Sequence, residues 1–317
     1  GGDAIDLARV SEDIRALSDD SFEGRGIATP AEDKVVEYLS REYAAAGFQP
    51  GGENGGWTQD VTLNRFLASN VQASVSVGDW RRDLAQGRDV VVSTRLPGTA
   101  VNLADAPLVF VGYGVDAPEQ NWNDYAGLDV TGKTVVILVN DPGFHAQDAT
   151  LFGGERMTYY GRWTYKFEEA ARKGAAAALI IHDTPGASYG WDVVKNSWSG
   201  AQFDLRAEDD PEPRLPAQGW ISGDVARELF EAAGLDLDAQ IAAANRRGFR
   251  PVPLNATVSF DLKSTIAEKS SRNVVGILRG NPEVLADWHR RFRYILVDEY
   301  QDTNRAQYHL VEQIGRA

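Results

Sequence analysis

The chain has 317 residues, of which 43% are hydrophobic and 25% are charged, a composition typical of globular proteins. Its formal net charge of −14 argues against a nucleic-acid-binding surface, so no nucleic-acid partner is expected for the chain as a whole. Cysteine is absent, which excludes disulfides, thiolate zinc sites and a cysteine nucleophile. No apolar run approaches the roughly 20 residues that span a bilayer, so no membrane span is expected.

Two helices are predicted in the first fifty residues. Four apolar residues at helical spacing form one face of the first helix: Leu7, Val10, Ile14 and Leu17. The second helix starts after Thr29 with Pro30, where Glu32 would complete a capping box, and it ends at Gly47. Its predicted buried stripe consists of Val35, Val36, Leu39 and Tyr43.

Strands alternate with helices in the rest of the chain, beginning with a strand around residues 71–77. Further strands are predicted at 108–111, 134–139, 177–181, 256–262 and 273–278. Helices are predicted at 165–173, before Gly174, and at 224–233 and 237–244. Residues 183–218, rich in Pro, Gly, Asp and Ser, indicate a long surface loop. This order predicts an α/β (α+β) fold, with a domain at 101–253 inserted into a host formed by 1–100 and 254–280.

Four segments together resemble bacterial zinc aminopeptidases of the glutamate-carboxypeptidase and transferrin-receptor superfamily. They are LSDDSFEGRG (17–26), AAGFQPGGENGGWTQDV (45–61), MTYYGRWTYKFEEAARKGAAAALIIHD (157–183) and SRNVVGILRG (271–280). The resemblance implies that 101–253 is a protease-associated domain, able to contact a peptide or protein substrate, inside an incomplete peptidase lobe. It also implies a periplasmic or secreted location for this part.

The same resemblance implies two zinc ions bound from a His-x-Asp pair and from acidic and histidine ligands further downstream. The sequence departs from the family at about Asn281, before those ligands, and contains no His-x-Asp. We therefore carry over no metal ligand and expect a chain that is truncated before the metal site and inactive as a peptidase. His182 beside Asp183, and His145 near Asp148, are interpreted as surface or hydrogen-bonded histidines rather than metal ligands. Neighbouring strand residues such as His182 and Asp183 point to opposite faces and chelate one ion poorly.

Two further groups are interpreted as structural. The acidic and basic residues of the entry motif are expected to cap a turn and solvate a helix end: Asp19, Asp20, Glu23 and Arg25. The aromatic residues of the third segment are expected to pack between the insertion and the host: Tyr159, Tyr160, Trp163 and Tyr165.

The last part of the chain resembles a different family. The run NPEVLADWHRRFRYILVDEYQDTNRAQYHLVEQI (281–314) is similar to the second ATPase motif of UvrD/Rep/PcrA-type helicases. The resemblance implies that Asp298 holds Mg²⁺ on ATP, that Glu299 orients or activates the attacking water, and that Gln301 senses the γ-phosphate. A helix at 286–293, a strand at 294–297 and a helix at 303–314 are predicted for this tail, whose parent proteins would be cytoplasmic.

The helicase motif is incomplete by itself. The phosphate-binding pattern G-x-x-x-x-G-K-[ST] does not occur, and residues 127–133 fail its spacing. No cofactor is therefore expected in this chain. A gene fusion, a misassembled reading frame or a recombined chain would each explain the change of family at residue 281.

Three functional hypotheses follow from the sequence. The first is a zinc aminopeptidase by descent that is inactive as written, and the second is a non-catalytic module that binds a peptide or protein. The third is a fragment of an ATP-dependent DNA helicase.

Overall fold

The computed structural model describes residues 6–98, 100–278 and 280. Its helices are α1 (Leu7–Leu17), α2 (Pro30–Ala45), α3 (Trp163–Arg172), α4 (Thr184–Ala187), α5 (Trp191–Trp198), α6 (Gly223–Ala232) and α7 (Leu237–Ala244). Its strands are β1 (Gln49–Pro50), β2 (Thr58–Val77), β3 (Trp80–Leu84), β4 (Val90–Ser93), β5 (Ala100–Phe110), β6 (Asp116–Ala117), β7 (Trp122–Asn123), β8 (Thr134–Leu138), β9 (Ala177–Ile181), β10 (Gln202–Leu205), β11 (Ala217–Ile221), β12 (Val252–Val274) and β13 (Gly276–Ile277). The predicted tail elements at 286–293, 294–297 and 303–314 lie outside the described residues.

The chain divides into two compact units. The second unit comprises Asn64–Glu268, and the first comprises the segments on either side, Gly1–Leu63 and Lys269–Ala317. In the described part of the first unit, β1 pairs with β13 in antiparallel register. Glu32 joins the two segments of this unit, because its Oε1 accepts hydrogen bonds from Ser271 Oγ (2.5 Å) and Arg272 N (2.9 Å).

A mixed nine-stranded sheet forms the centre of the second unit. Its order is β10-β2-β12-β5-β8-β9-β11-β4, and β3 pairs with β2. The four strands β5, β8, β9 and β11 are mutually parallel, whereas β4 and β12 pair antiparallel to their neighbours. The α/β class predicted from the sequence is confirmed.

The parallel strands are buried on both faces, as sheets covered by helices on two sides require. Leu108 and Phe110 of β5 pack with Phe230 of α6 on one face. Val109 of the same strand packs in the opposite layer, which also contains Phe167 of α3 and Trp198 of α5. Side-chain alternation along each strand thus fills two separate hydrophobic layers.

Several elements lie where the sequence predicted them. Strand β9 has the predicted bounds, α3 ends just before Gly174, and Gly47 follows α2 with a left-handed φ of +87°. Helix α1 also has the predicted bounds, yet Leu7 and Ile14 are exposed, at 76% and 61%.

The prediction of a long surface loop at 183–218 is wrong. This range contains α4, α5, β10 and the start of β11, and every residue of β11 is buried. The sequence of β11, AQGWI, lacks apolar alternation because Gly219 and Gln218 occupy its centre. Gly219 is required there, since a Cβ would lie 1.8 Å from the carbonyl oxygen of Val91 on β4.

Three smaller predictions also require correction. Glu32 Oε2 accepts from Ala28 N (2.7 Å) and Thr29 makes no side-chain cap bond, so the capping box is absent. The buried stripe of α2 is only partly buried, because Ala31 is the one residue of this helix classed as buried. The strand predicted at 273–278 is split between the end of β12 and β13.

The predicted domain limits at 101–253 and 254–280 differ from the bounds of the second unit, which begins at Asn64. The predicted limits are those of the protease-associated insertion and its host in the resembled peptidase family, and they stay a prediction. Among the described residues, no helix combines the length and apolarity needed to cross a bilayer.

Candidate functional site

Polar residues collect where two neighbouring parallel strands end. The loop after β8 carries Asn140, Asp141 and His145, and Asp183 lies two residues beyond β9. Because β8 and β9 are parallel, their carboxyl ends lie at the same edge of the sheet. Ligand sites of open α/β sheets occur at such an edge.

His145 is held between a tyrosine and a carboxylate. The Tyr113 hydroxyl lies 2.6 Å from His145 Nδ1, and His145 Nε2 lies 3.2 Å from Asp183 Oδ2. The second carboxylate oxygen of Asp183 accepts from Gly186 N (2.8 Å) at the start of α4. Burial opposes the charge of Asp183, but the hydrogen bonds from His145 and Gly186 outweigh it and lower the pKa of this carboxyl.

Asn245, just after α7, completes the group that we call the His145 cluster: Tyr113, His145, Asp183 and Asn245. Asn245 Oδ1 lies 3.1 Å from the Tyr113 hydroxyl and accepts from Gly143 N (2.8 Å), while Asn245 Nδ2 donates to Ile241 O (2.8 Å). Tyr113 is fully buried, and burial raises the pKa of its phenol. The cluster thus fixes the imidazole between two loops and α7.

A cavity with a volume of about 690 Å³ opens beside the His145 cluster. Its lining residues are His145, Ala146, Asp148, Asp183, Pro185, Arg227, Asp238, Ile241, Ala242, Asn245 and Arg246. Arg227 and Asp238 form a bidentate ion pair with N–O distances of 3.0 and 2.8 Å, so their charges neutralise each other. The wall offers carboxylates, an imidazole, an amide and the guanidinium of Arg246 around an apolar patch, and none of these lining residues is a serine, threonine or lysine that could attack a substrate.

Lys166 supports the cluster from inside the protein. Its side chain is fully buried, and Nζ donates to Tyr113 O (2.6 Å) and Asn140 O (2.8 Å). Burial lowers the pKa of Lys166 to about 8, while Asp141 and Asp124 favour the charged form. Burial likewise raises the pKa of Asp124 to about 7 and that of Asp141 above its ordinary value.

Lys166 was missed by sequence reasoning although a signal existed. It lies one helical turn before Ala170, on the buried face of α3. A lysine on the apolar stripe of a short helix indicates a buried amine with specific acceptors.

The histidines behave as the sequence indicated. His182 Nε2 lies 2.9 Å from Tyr189 O, whereas Asp183 turns to His145, so the adjacent pair does not act on one ligand. Asp148 accepts from Thr150 N and Oγ1 rather than from His145. The pairing of His145 with Asp183, across 38 positions of sequence, could not be predicted from spacing.

The remaining candidates fall into three groups. Asp19 caps a turn, because its Oδ1 accepts from Ser21 N (2.9 Å), as predicted. The ring contacts among Tyr159, Tyr160 and Tyr165 lie within the predicted insertion rather than between it and the host. Asp298, Glu299 and Gln301 lie outside the described residues.

Sequence comparison finds relatives of the end of the chain. The family described as the UvrD/REP helicase N-terminal domain matches residues 227–317, a range that begins in α6. The ATP-dependent DNA helicase PcrA of Bacillus subtilis is 70% identical over 34 residues, which are 11% of this chain and 5% of that protein. PcrA of Staphylococcus aureus is 36% identical over 135 residues, which are 42% of this chain and 17% of that protein. The predicted resemblance to UvrD-type helicases is confirmed, and the chain spans only a small share of the helicases it matches.

Comparison with solved structures finds peptidases. An aminopeptidase from Aneurinibacillus sp. strain AM-1 is 18% identical with a TM-score of 0.35, and the match covers 82% of this chain and 45% of that one. A peptidase M28 precursor from Shewanella amazonensis SB2B is 14% identical with a TM-score of 0.37, covering 86% and 54%. The chain thus spans about half of each of these proteins.

Proposed function

We propose that residues 6–278 are the non-catalytic, peptide-binding part of a zinc-aminopeptidase-like protein, with a protease-associated domain at 101–253 inside an incomplete lobe. The cavity beside the His145 cluster carries this proposal. A peptide presents amide N–H and C=O groups and charged termini, and the wall offers carboxylates, the guanidinium of Arg246 and the amide of Asn245 in return. The apolar patch at Pro185, Ile241 and Ala242 suits a side chain of the peptide.

The described residues do not fit the zinc ions that the peptidase resemblance implies. They contain no group of three or more His, Asp or Glu side chains placed to hold a metal. Both of their histidines are already engaged, His182 with Tyr189 O and His145 with Tyr113 and Asp183. We therefore propose that the chain binds peptides without hydrolysing them. The peptidase resemblance supports a periplasmic or secreted location for this activity.

Equilibrium dialysis of the full chain against a dye-labelled pentapeptide library tests the proposal. We expect retention of peptides, and about tenfold weaker binding in the double variant Asp183→Asn/Arg246→Gln, because each change removes a charge-assisted hydrogen bond. Asp192→Asn on the exposed side of α5 is the matched control and should bind as the parent does. Unchanged retention in the double variant would refute the site, and aminoacyl-anilide turnover that a chelator abolishes would refute the absence of catalysis.

A second candidate function is that of a helicase ATPase fragment, which the match to residues 227–317 favours. By that resemblance Asp298 would bind the Mg²⁺ of Mg-ATP, with Glu299 and Gln301 at the γ-phosphate. The sequence lacks the phosphate-binding loop that such motors use, and its net charge of −14 disfavours DNA.

We expect the double variant Asp298→Asn/Glu299→Gln to leave every activity of the chain unchanged, because two carboxylates without a phosphate loop cannot position ATP. Release of phosphate from Mg-ATP would be measured for parent and variant. An ATPase rate in the parent that the double variant loses would establish the helicase function instead.

A further inference from the structure

A second cavity lies in the second unit, separate in its lining from the cavity beside the His145 cluster. Its volume is about 150 Å³, well below the roughly 300–1,000 Å³ of sites for drug-sized ligands, so its ligand is small. Its wall includes the rings of Trp163, Phe167 and Phe203 and the side chains of Arg95, Glu168 and Gln218.

Arg95 is a buried cation in the wall of this cavity. It is 8% exposed, and its guanidinium donates to Phe203 O (3.3 Å) and Gln202 Oε1 (3.0 Å) and stacks over the ring of Trp198. Within the described residues no carboxylate forms an ion pair with it, and Asp204 favours its charge only from a longer distance. A guanidinium has five N–H groups, so three make no hydrogen bond to the part of the chain that the structure describes. A buried charge in this state is costly unless a counter-ion binds.

Arg214, the other cation of the wall, already uses all of its N–H groups in hydrogen bonds. Asp204 Oδ2, Asp210 O and Glu212 O accept from its Nε and Nη1 at 3.0–3.2 Å. Leu205 O and Asp210 Oδ2 accept from Nη2 at 3.2 and 3.1 Å. All five N–H groups are used, so Arg95 is the cation of this wall that remains available to an anion.

Gln218 adds an unpartnered amide to the same wall. Its backbone lies within β11, its residue is 8% exposed, and within the described part of the chain its side chain makes no hydrogen bond. Its amide atoms are accessible to solvent, so a ligand that enters the cavity can reach them. The amide N–H groups of Gln218 and the free N–H groups of Arg95 together suit a carboxylate.

Glu168 offers the opposite charge. This half-buried carboxylate lies on α3, accepts from the Tyr159 hydroxyl (3.0 Å) and has Arg172 at 3.9 Å. One hydrogen bond and one ion pair leave lone pairs free, because an ionised carboxylate can accept about four hydrogen bonds. Burial raises the pKa of Glu168, which indicates a carboxylate that its neighbours satisfy incompletely.

We propose that this cavity binds a free α-amino acid with an apolar side chain. Its carboxylate is held by Arg95 and Gln218, its ammonium by Glu168, and its side chain by the rings of Trp163, Phe167 and Phe203. The site is independent of the peptide cavity and of any hydrolysis.

Calorimetric titration of the full chain with L-leucine tests this proposal. Two isosteres isolate each charge: 4-methylpentanoate lacks the ammonium, and 3-methylbutylamine lacks the carboxylate. We expect saturable binding of leucine, and binding of each isostere about tenfold to a hundredfold weaker, as expected for the loss of a charge-assisted hydrogen bond. Absence of leucine binding, or equal binding of either isostere, overturns the proposal.

Variants connect binding to the named residues. Arg95→Gln, Gln218→Met and Glu168→Gln should each weaken leucine binding about tenfold, while Arg81→Gln on exposed β3 should leave it unchanged. Arg95 also holds β10, so Arg95→Gln is interpreted only if its thermal transition is retained. If Arg95→Gln fails to fold, Gln218→Met and Glu168→Gln provide the test. Unchanged leucine affinity in both of these variants overturns the proposed site.

Discussion

Replacing Gly219 by alanine is expected to lower the free energy of unfolding by about 3 kcal/mol or more. A steric clash that only a shift of the backbone can relieve is severely destabilising. The added Cβ would lie 1.8 Å from Val91 O and 2.8 Å from Val91 C, atoms of the neighbouring strand β4. Neither can move without breaking the pairing of β11 with β4. Urea denaturation followed by circular dichroism measures the effect.

Gly200→Ala is the matched control. Gly200 lies exposed after α5, and nothing lies within 4 Å of a Cβ built there. Its substitution should change the free energy of unfolding by less than about 0.5 kcal/mol. Equal stability of the two variants would show that β11 does not pair with β4 as described.

Replacing Lys166 by methionine is expected to cost about 3 kcal/mol at pH 7, the loss typical of removing one partner from a buried charged network. Methionine keeps the length and fills the space, but Tyr113 O and Asn140 O lose their donor, and Asp141 loses a buried counter-charge. Lys195→Met on the exposed side of α5 serves as control and should be nearly neutral. Urea denaturation of both variants and the parent provides the comparison.

The pH dependence of the free energy of unfolding tests independently whether Lys166 is buried. Burial lowers the pKa of Lys166 to about 8, against about 10.4 for a free lysine, so between these values the unfolded chain binds more protons than the folded chain. Relative to Lys166→Met, the free energy of unfolding of the parent should therefore rise from pH 8 to pH 10. Asp124, with its pKa near 7, titrates below this window, and Tyr113, with its raised pKa, titrates above it. A parallel pH profile in both proteins would contradict the buried, partly deprotonated amine.

The sequence by itself determined the local elements. The apolar run at 177–181 predicts the bounds of β9, and Gly174 predicts the end of helix α3. Each of these patterns lies within or next to the element that it predicts. The helicase-like motif is equally a property of consecutive residues, which explains why family comparison recovers it.

The tertiary structure decided the pairings and the sites. Strand β11 has a weak pattern of its own, and it is a strand because β9 and β4 supply partners for its backbone. His145 meets Asp183, and Arg95 meets the wall of α3 and β10, only because the sheet brings distant loops to one place. Local patterns carry no information on which segments meet, since that choice depends on the total burial and hydrogen bonding of the folded chain. The buried charges of Lys166 and Arg95 acquire their hydrogen-bond partners from that same choice.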